Sequence, residues 1–229
     1  MPTYGLVLTA AGSSSRFGTG SKVLAPLDGV PVLVHAARAF VAALGSLPTV
    51  VTVRVEDRAA VEALARTEPA LSGATLVVGG ATRQQSVARG LEALPADVLV
   101  VLVHDAARPL VAPALVRAVA EAARRDGAAA PALAVVDSVH ALDAGGRLAT
   151  PLDRASLRAV QTPQAARADL LRRAFAAAVQ AGREATDEVG LLLAAGIPVT
   201  PVPGDPENLK LTTSDDLARM EETLRRRRR

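Results

Sequence analysis

The sequence predicts an α/β fold: a three-layer αβα sandwich on a Rossmann-like, mainly parallel sheet, with a β-arm protruding from it. Three observations predict it. Short aliphatic runs alternate with longer amphipathic ones, the rhythm of parallel strands joined by helical crossovers. Several of the short runs are apolar at consecutive positions, as strands covered on both faces must be. The rhythm then stops near Val136, and the stretch that follows carries no helical period.

Each element can be justified in turn. YGLVLTA (4–10) reads as the first strand, followed by a loop rich in glycine and serine. TVVTVRV (49–55), ATLVV (74–78), DVLVVLV (97–103) and GAAAPALAV (127–135) read as further buried strands. Helical patterns fill 31–44, 57–66, 84–93 and 113–125, with Asp57 and Pro113 as helix-start residues. Residues 136–162 read as two extended arms around an Ala-Gly-Gly turn. An excursion of that length inside a compact domain is usually functional. Helices are expected at 167–181 and 187–195, a strand at 198–203, and a last helix from 214. The arginine run 225–229 reads as the solvated, frayed end of that helix. No linker separates a second unit, so 1–229 is expected to be one domain.

Composition narrows the function classes. There is no cysteine, which removes disulfides, a thiol nucleophile and thiolate metal ligands. The three histidines, His35, His104 and His140, are scattered without zinc-site spacing. The net charge of +3 is carried by the five terminal arginines, so the body is slightly acidic and nucleic acid is not an expected partner. No apolar run approaches the length of a membrane span. A soluble cytoplasmic protein is the expectation.

The loop after the first strand, AAGSSSRFGTGSK, lies where ligands of open α/β sheets bind. It is neither a P-loop nor a G-x-G-x-x-G dinucleotide turn. Its glycines and serines let backbone N–H groups approach an anion, and Arg16 and Lys22 supply two cations. Of 26 basic residues only Lys22 and Lys210 are lysine. Arginine has taken the surface positions, so the two compact ammonium groups that remain are candidates for a tight, phosphate-handling site.

The motifs AAGSSSRFG…SK, GGATRQQSVARGL (79–91), VLVHDAARPLV (101–111), TPQ (162–164), TDE (186–188) and ENLKLTTSDDL (207–217) together resemble the 2-C-methyl-D-erythritol 4-phosphate cytidylyltransferases. The resemblance spans essentially the whole chain and implies a sheet of the nucleotidyltransferase type. It implies CTP along Ala10, Ala11 and Gly12, a Mg²⁺ ion held mainly by the CTP phosphates, and Arg16 and Lys22 at the reacting phosphorus. It implies that Gly80, Arg83 and Ser86 read the cytosine and that Ala106 lies by the nucleotide. It places Asp105, Arg108, Ser138, Arg154, Thr162 and Lys210 on the polyol phosphate side, with the 136–162 arm reaching across a homodimer. Arg154 would act in trans, and Lys210 would hold the substrate phosphate. No protein metal ligand is implied. His104 is expected to orient rather than act as a base, because a phosphate monoester attacks as an anion already. Asp187 and Glu188 are expected to cap a helix. Thr9 and Ala81 stand where the family often has proline and an acidic residue. Three other readings stay open: a cytidylyltransferase for ribitol 5-phosphate or a similar polyol phosphate, a non-catalytic nucleotide-binding dimer, and a nicotinamide-binding dehydrogenase, which the missing G-x-G-x-x-G opposes.

Overall fold

The computed structural model describes residues 3–12, 17 and 20–228. Strand β1 (Tyr4–Ala10) is followed by a small antiparallel pair, β2 (Pro26–Leu27) and β3 (Val30–Pro31), and by helix α1 (Val32–Leu44). Then come β4 (Thr49–Val53), α2 (Arg58–Thr67), β5 (Thr75–Val78), α3 (Arg83–Glu92), β6 (Val100–Asp105), α4 (Pro113–Asp126) and β7 (Ala128–Ala134). The arm holds β8 (Val139–Leu142) and β9 (Leu148–Leu152). The chain ends with β10 (Arg158–Val160), β11 (Gln164–Arg167), α5 (Ala168–Gln180), α6 (Glu188–Ala194), β12 (Thr200–Pro203) and α7 (Asp215–Arg227).

The main sheet runs β10-β7-β11-β6-β1-β4-β5, with β12 on the other edge of β7. Its β6-β1-β4-β5 portion is parallel throughout. Alternate side chains of these strands enter two separate cores. Leu6, Leu8, Val51, Val53, Val100 and Leu102 pack against α1, α2 and α4. Val7, Val50, Val101 and Val103 pack against α3, α5 and α6. This period of two, apolar in both phases, makes three layers with the sheet in the middle. A third cluster, of Leu27, Val32, Leu110, Leu211 and Met220, fastens α7 over the carboxyl edge of the sheet.

Two expectations are corrected here. The sheet is interrupted by β11, which pairs antiparallel with both β6 and β7, and β10 adds a further antiparallel strand to β7. Residues 158–162 were expected to belong to the arm and Arg167 to open a helix, with no strand expected at 163–166; alanine-rich QAAR has no apolar period of its own, and its pairing comes from the two strands it fits between. Arginines 225–228, the described part of the run, are not a frayed end; Arg229 lies outside the described residues. Arg225, Arg226 and Arg227 are helical, Arg226 and Arg227 bind Glu207, Arg227 donates to the Leu110 carbonyl, and Arg228 pairs with Asp28.

Registry sets the site. Leu8 lies beside His104 and Thr9 beside Asp105, so β1, β4, β5 and β6 end together and their following loops share one edge.

Candidate active site

A cavity of about 760 Å³ opens at that edge, within the range of small-molecule sites. Its wall comes from the ends of β1 (Thr9, Ala10), the first loop (Ala11, Gly12, Gly20, Lys22), the loop after β4 (Arg54, Glu56), the β5–α3 turn (Gly80, Ala81, Thr82, Arg83, Ser86), the loop after β6 (Asp105, Ala107) and Lys210. The chain's two lysines, 188 residues apart in sequence, thus face one cavity.

The β5–α3 turn is shaped by close approach. A Cβ on Gly79 would sit 2.3 Å from the Ala11 Cβ, and one on Gly80 2.3 Å from the Gln85 Cβ. The bare Gly79 lets the turn lie against the first loop, and the bare Gly80 lets it fold tightly onto the start of α3. Thr82 caps α3 by accepting from the Gln85 N–H. Ser86, expected to face cytosine, is on the wall, but its hydroxyl accepts from Gly80 N at 3.0 Å and donates to the Thr82 carbonyl at 2.9 Å.

From the Arg83 end of this turn an ionic chain links the cavity surface to the interior. The Lys210 ammonium lies 2.5 Å from Asp105 Oδ2. Asp105 Oδ1 accepts from Arg83 Nε and Nη2, each at 3.2 Å, and from the Thr9 hydroxyl at 3.2 Å. Arg83 also donates from Nη1 and Nη2 to the two oxygens of Glu188, at 2.7 and 3.0 Å. Burial alone would raise the Asp105 carboxyl, but Arg83 and then Lys210 hold it far below the usual carboxylate range. Burial raises Glu188, with Arg83 opposing.

Beneath this wall His104 is fully buried and pushed down to about 4 by loss of solvent. Its Nε2 faces the Arg108 carbonyl at 3.1 Å, its Nδ1 the Thr162 hydroxyl at 3.0 Å, and its ring lies 5.0 Å from that of Phe40. A carbonyl can only accept, so Nε2 carries the proton and Nδ1 takes one from Thr162. The same hydroxyl accepts from Asp105 N–H at 3.1 Å. His104 and Thr162 therefore fix the backbone that aims Asp105.

Several expected residues lie elsewhere. Ala106 is fully buried in the first core, and its neighbour Ala107 is the alanine on the wall. Thr162 is 4% exposed and points into the interior. Arg108 is off the wall: its Nη1 donates to the Asn208 carbonyl at 2.7 Å, and Asn208 in turn donates to the Thr162 carbonyl at 2.8 Å. These bonds hold the segment that carries Lys210. Ser138 and Arg154 are exposed on the arm, where Arg154 donates to the Val136 carbonyl. Arg16 lies outside the described residues.

Sequence reasoning missed three wall or support residues. Arg54 and Glu56 line the cavity. Asp57 does not cap α2 with its side chain; its carboxylate accepts from Arg54 at 2.7 Å and from the Ser21 hydroxyl at 2.9 Å, pinning the loop next to Lys22. Glu188 does not cap either; that task falls to Asp187, which accepts from Gly190 N–H. A run such as VEDR (55–58) reads as solvated surface, and only the three-dimensional partner distinguishes it.

Among the described residues no group of three histidine, aspartate or glutamate side chains is placed to hold a metal ion. Of the wall's two carboxylates, Asp105 is taken by Arg83 and Lys210 and Glu56 by Arg54. Such a wall suits a hard cation that arrives with phosphate oxygens rather than one caged by protein.

Glycine-bearing loops and two lysines lining a cavity at the carboxyl edge of a parallel sheet suit the transfer of a nucleotidyl group, and kinship agrees: the chain is a nucleotidyltransferase by class. The family model for IspD, 2-C-methyl-D-erythritol 4-phosphate cytidylyltransferase, matches residues 5–226. The chain belongs to that family. It is 40% identical over 222 residues to the 2-C-methyl-D-erythritol 4-phosphate cytidylyltransferase of Acidobacterium capsulatum, covering 93% of each chain. It is 44% identical to the bifunctional enzyme IspD/IspF of Anaeromyxobacter dehalogenans, covering 93% of this chain and 55% of that longer one. The crystal structure of 2-C-methyl-D-erythritol 4-phosphate cytidylyltransferase from Thermus thermophilus superposes with a TM-score of 0.79 at 37% identity, over 98% of this chain and all of that one.

Proposed function

We propose that the chain joins CTP to 2-C-methyl-D-erythritol 4-phosphate and releases pyrophosphate, forming 4-diphosphocytidyl-2-C-methyl-D-erythritol. The observation that carries the reading is the meeting of Lys22 and Lys210 on one cavity wall in a chain that uses lysine nowhere else. The substrate phosphate attacks the α-phosphorus of CTP in line, with no covalent enzyme intermediate. Charge builds on the transferring phosphorus and on the departing pyrophosphate, and cations fixed at that place bind the transition state better than the ground state. Lys22, together with Arg16, serves the nucleotide side; Lys210, held by Asp105, serves the substrate phosphate. Ala10, Ala11 and Gly12 bring backbone N–H groups to the triphosphate, and Gly80, Arg83 and Ser86 read the base. Mg²⁺, bound chiefly by the CTP phosphates, would neutralise their charge.

The chain is proposed to work as one domain and as a homodimer in the cytoplasm. Support for the dimer is the arm, which exposes Val136 (80%), Leu142 (63%) and Leu148 (75%); apolar surface of this kind marks an interface. Arg154 would then reach the partner's substrate phosphate.

The test is pyrophosphate release from CTP, Mg²⁺ and 2-C-methyl-D-erythritol 4-phosphate, with ribitol 5-phosphate in parallel. Release with the first substrate alone is expected. Lys22→Ala is expected to lower kcat by about 10²–10³, and Lys22→Arg to restore little of it, because guanidinium is broad and planar. Release with ribitol 5-phosphate alone would reassign the substrate.

A further inference from the structure

Glu188 is 1% exposed and does not line the cavity, yet it is the inner end of the ionic chain that reaches Lys210. Both of its oxygens accept from Arg83, so it is bound as a carboxylate. It is also held from behind. It is the first residue of α6, and Gln164 of β11 accepts from the adjacent Val189 N–H at 2.9 Å and donates to Asp187 at 2.9 Å. The four charges alternate, Glu188, Arg83, Asp105, Lys210, and one guanidinium is shared between two carboxylates. A buried carboxylate is costly. An apolar residue would pack the start of α6 without that cost, and packing alone gives no reason for the charge.

We propose that Glu188 is a positioning residue for Lys210: by engaging one edge of Arg83, it leaves Asp105 enough uncompensated negative charge to hold the ammonium at the cavity wall. This rests on the reading of Lys210 as the cation for the substrate phosphate. Without the Glu188 charge, all of Arg83 bears on Asp105. The potential at Lys210 becomes more positive, the ammonium is held less firmly against Asp105, and its nitrogen is more open to an acylating reagent. The other ionisable groups packed near Asp105 do not compensate: Arg108 is turned onto the Asn208 carbonyl, and His104 is neutral in its buried bonds.

The composition supplies the experiment, since acylation of a chain with two lysines can be read residue by residue. Wild type and Glu188→Gln are labelled with N-hydroxysuccinimidyl acetate at neutral pH without substrates, and the Lys22 and Lys210 peptides are quantified by mass spectrometry. Lys210 is expected to react about three- to tenfold faster in the variant, with Lys22 unchanged as the internal control. Equal acceleration of both lysines, or of neither, overturns the proposal; the first would mean that Glu188 only holds the fold. In the pyrophosphate assay, kcat is expected to fall at least about tenfold, and an unchanged kcat also overturns it. Labelling needs no substrate, so a wild type that releases no pyrophosphate would defeat the functional reading while the two rates still decide this one. If Glu188→Gln does not fold, Glu188→Asp keeps the charge but reaches fewer Arg83 nitrogens; acceleration confined to Lys210 supports the proposal, and equal rates reject it.

Discussion

His104 ties stability to pH. Unfolded, an imidazole takes up a proton below about pH 6.5; in the fold it resists protonation down to about 4. Acid in that window therefore favours the unfolded chain, because it binds more protons, by up to about 1.4 kcal/mol for each pH unit. The depressed Asp105 carboxyl adds its own loss further down. Thermal unfolding followed across pH is expected to show a midpoint that is flat above pH 7 and falls steadily from 6.5 toward 4. His104→Gln is expected to start lower at neutral pH and to lose much of that slope. The experiment also separates an orienting histidine from a catalytic one, since a base would leave its mark on the rate profile and little on the melting curve.

Among the elements, the β5–α3 turn makes the sharpest prediction. Gly79→Ala places a methyl group where the Ala11 Cβ already lies, and either the turn or the first loop must move. Overpacking of this kind costs about 1–3 kcal/mol. Calorimetry is expected to show weaker CTP binding, with the sheet intact by circular dichroism. The same scale shows what the sequence disclosed. Strands β1, β4 and β6 were legible because Leu6, Val7 and Leu8, or Val100 through Val103, are apolar in both phases of a two-residue period. β11 was not, because Gln164 to Arg167 hold little apolar surface and take their conformation from β6 and β7 on either side. At the site, Lys22 and Lys210 were legible through their rarity, and Asp105 through its place at a strand end. Arg54, Asp57 and Glu188 were not: a charged side chain looks alike in sequence whether it meets water or another charge 105 residues away, as Glu188 meets Arg83.

At the scale of the whole molecule, the proposed dimer makes the arm the segment to test. Among the described residues β8 and β9 pair with each other alone, and Leu142, Leu148 and Leu152 of these strands are exposed. Val136→Asp combined with Leu148→Asp is expected to yield a monomer in sedimentation velocity. Such a monomer is expected to keep its CTP affinity and to lose most of its turnover, since Arg154 would no longer reach a partner. An active monomer would place the substrate phosphate in the care of Lys210 alone.

The lodging of β11 between β6 and β7 bears on the order in which the protein is made. Everything needed for the β6-β1-β4-β5 portion has been synthesised by Asp105. β7 is linked to β6 through β11, whose paired residues arrive more than 30 residues later, after the arm. On a ribosome the β6-β1-β4-β5 half can close first as a local, low-separation structure, while the β7 half waits for a long loop to return. Pulsed hydrogen exchange during refolding should then find β1 and β4 protected before β7. Selection on the arm would accordingly act on a segment that the chain must hold open until its last third has emerged.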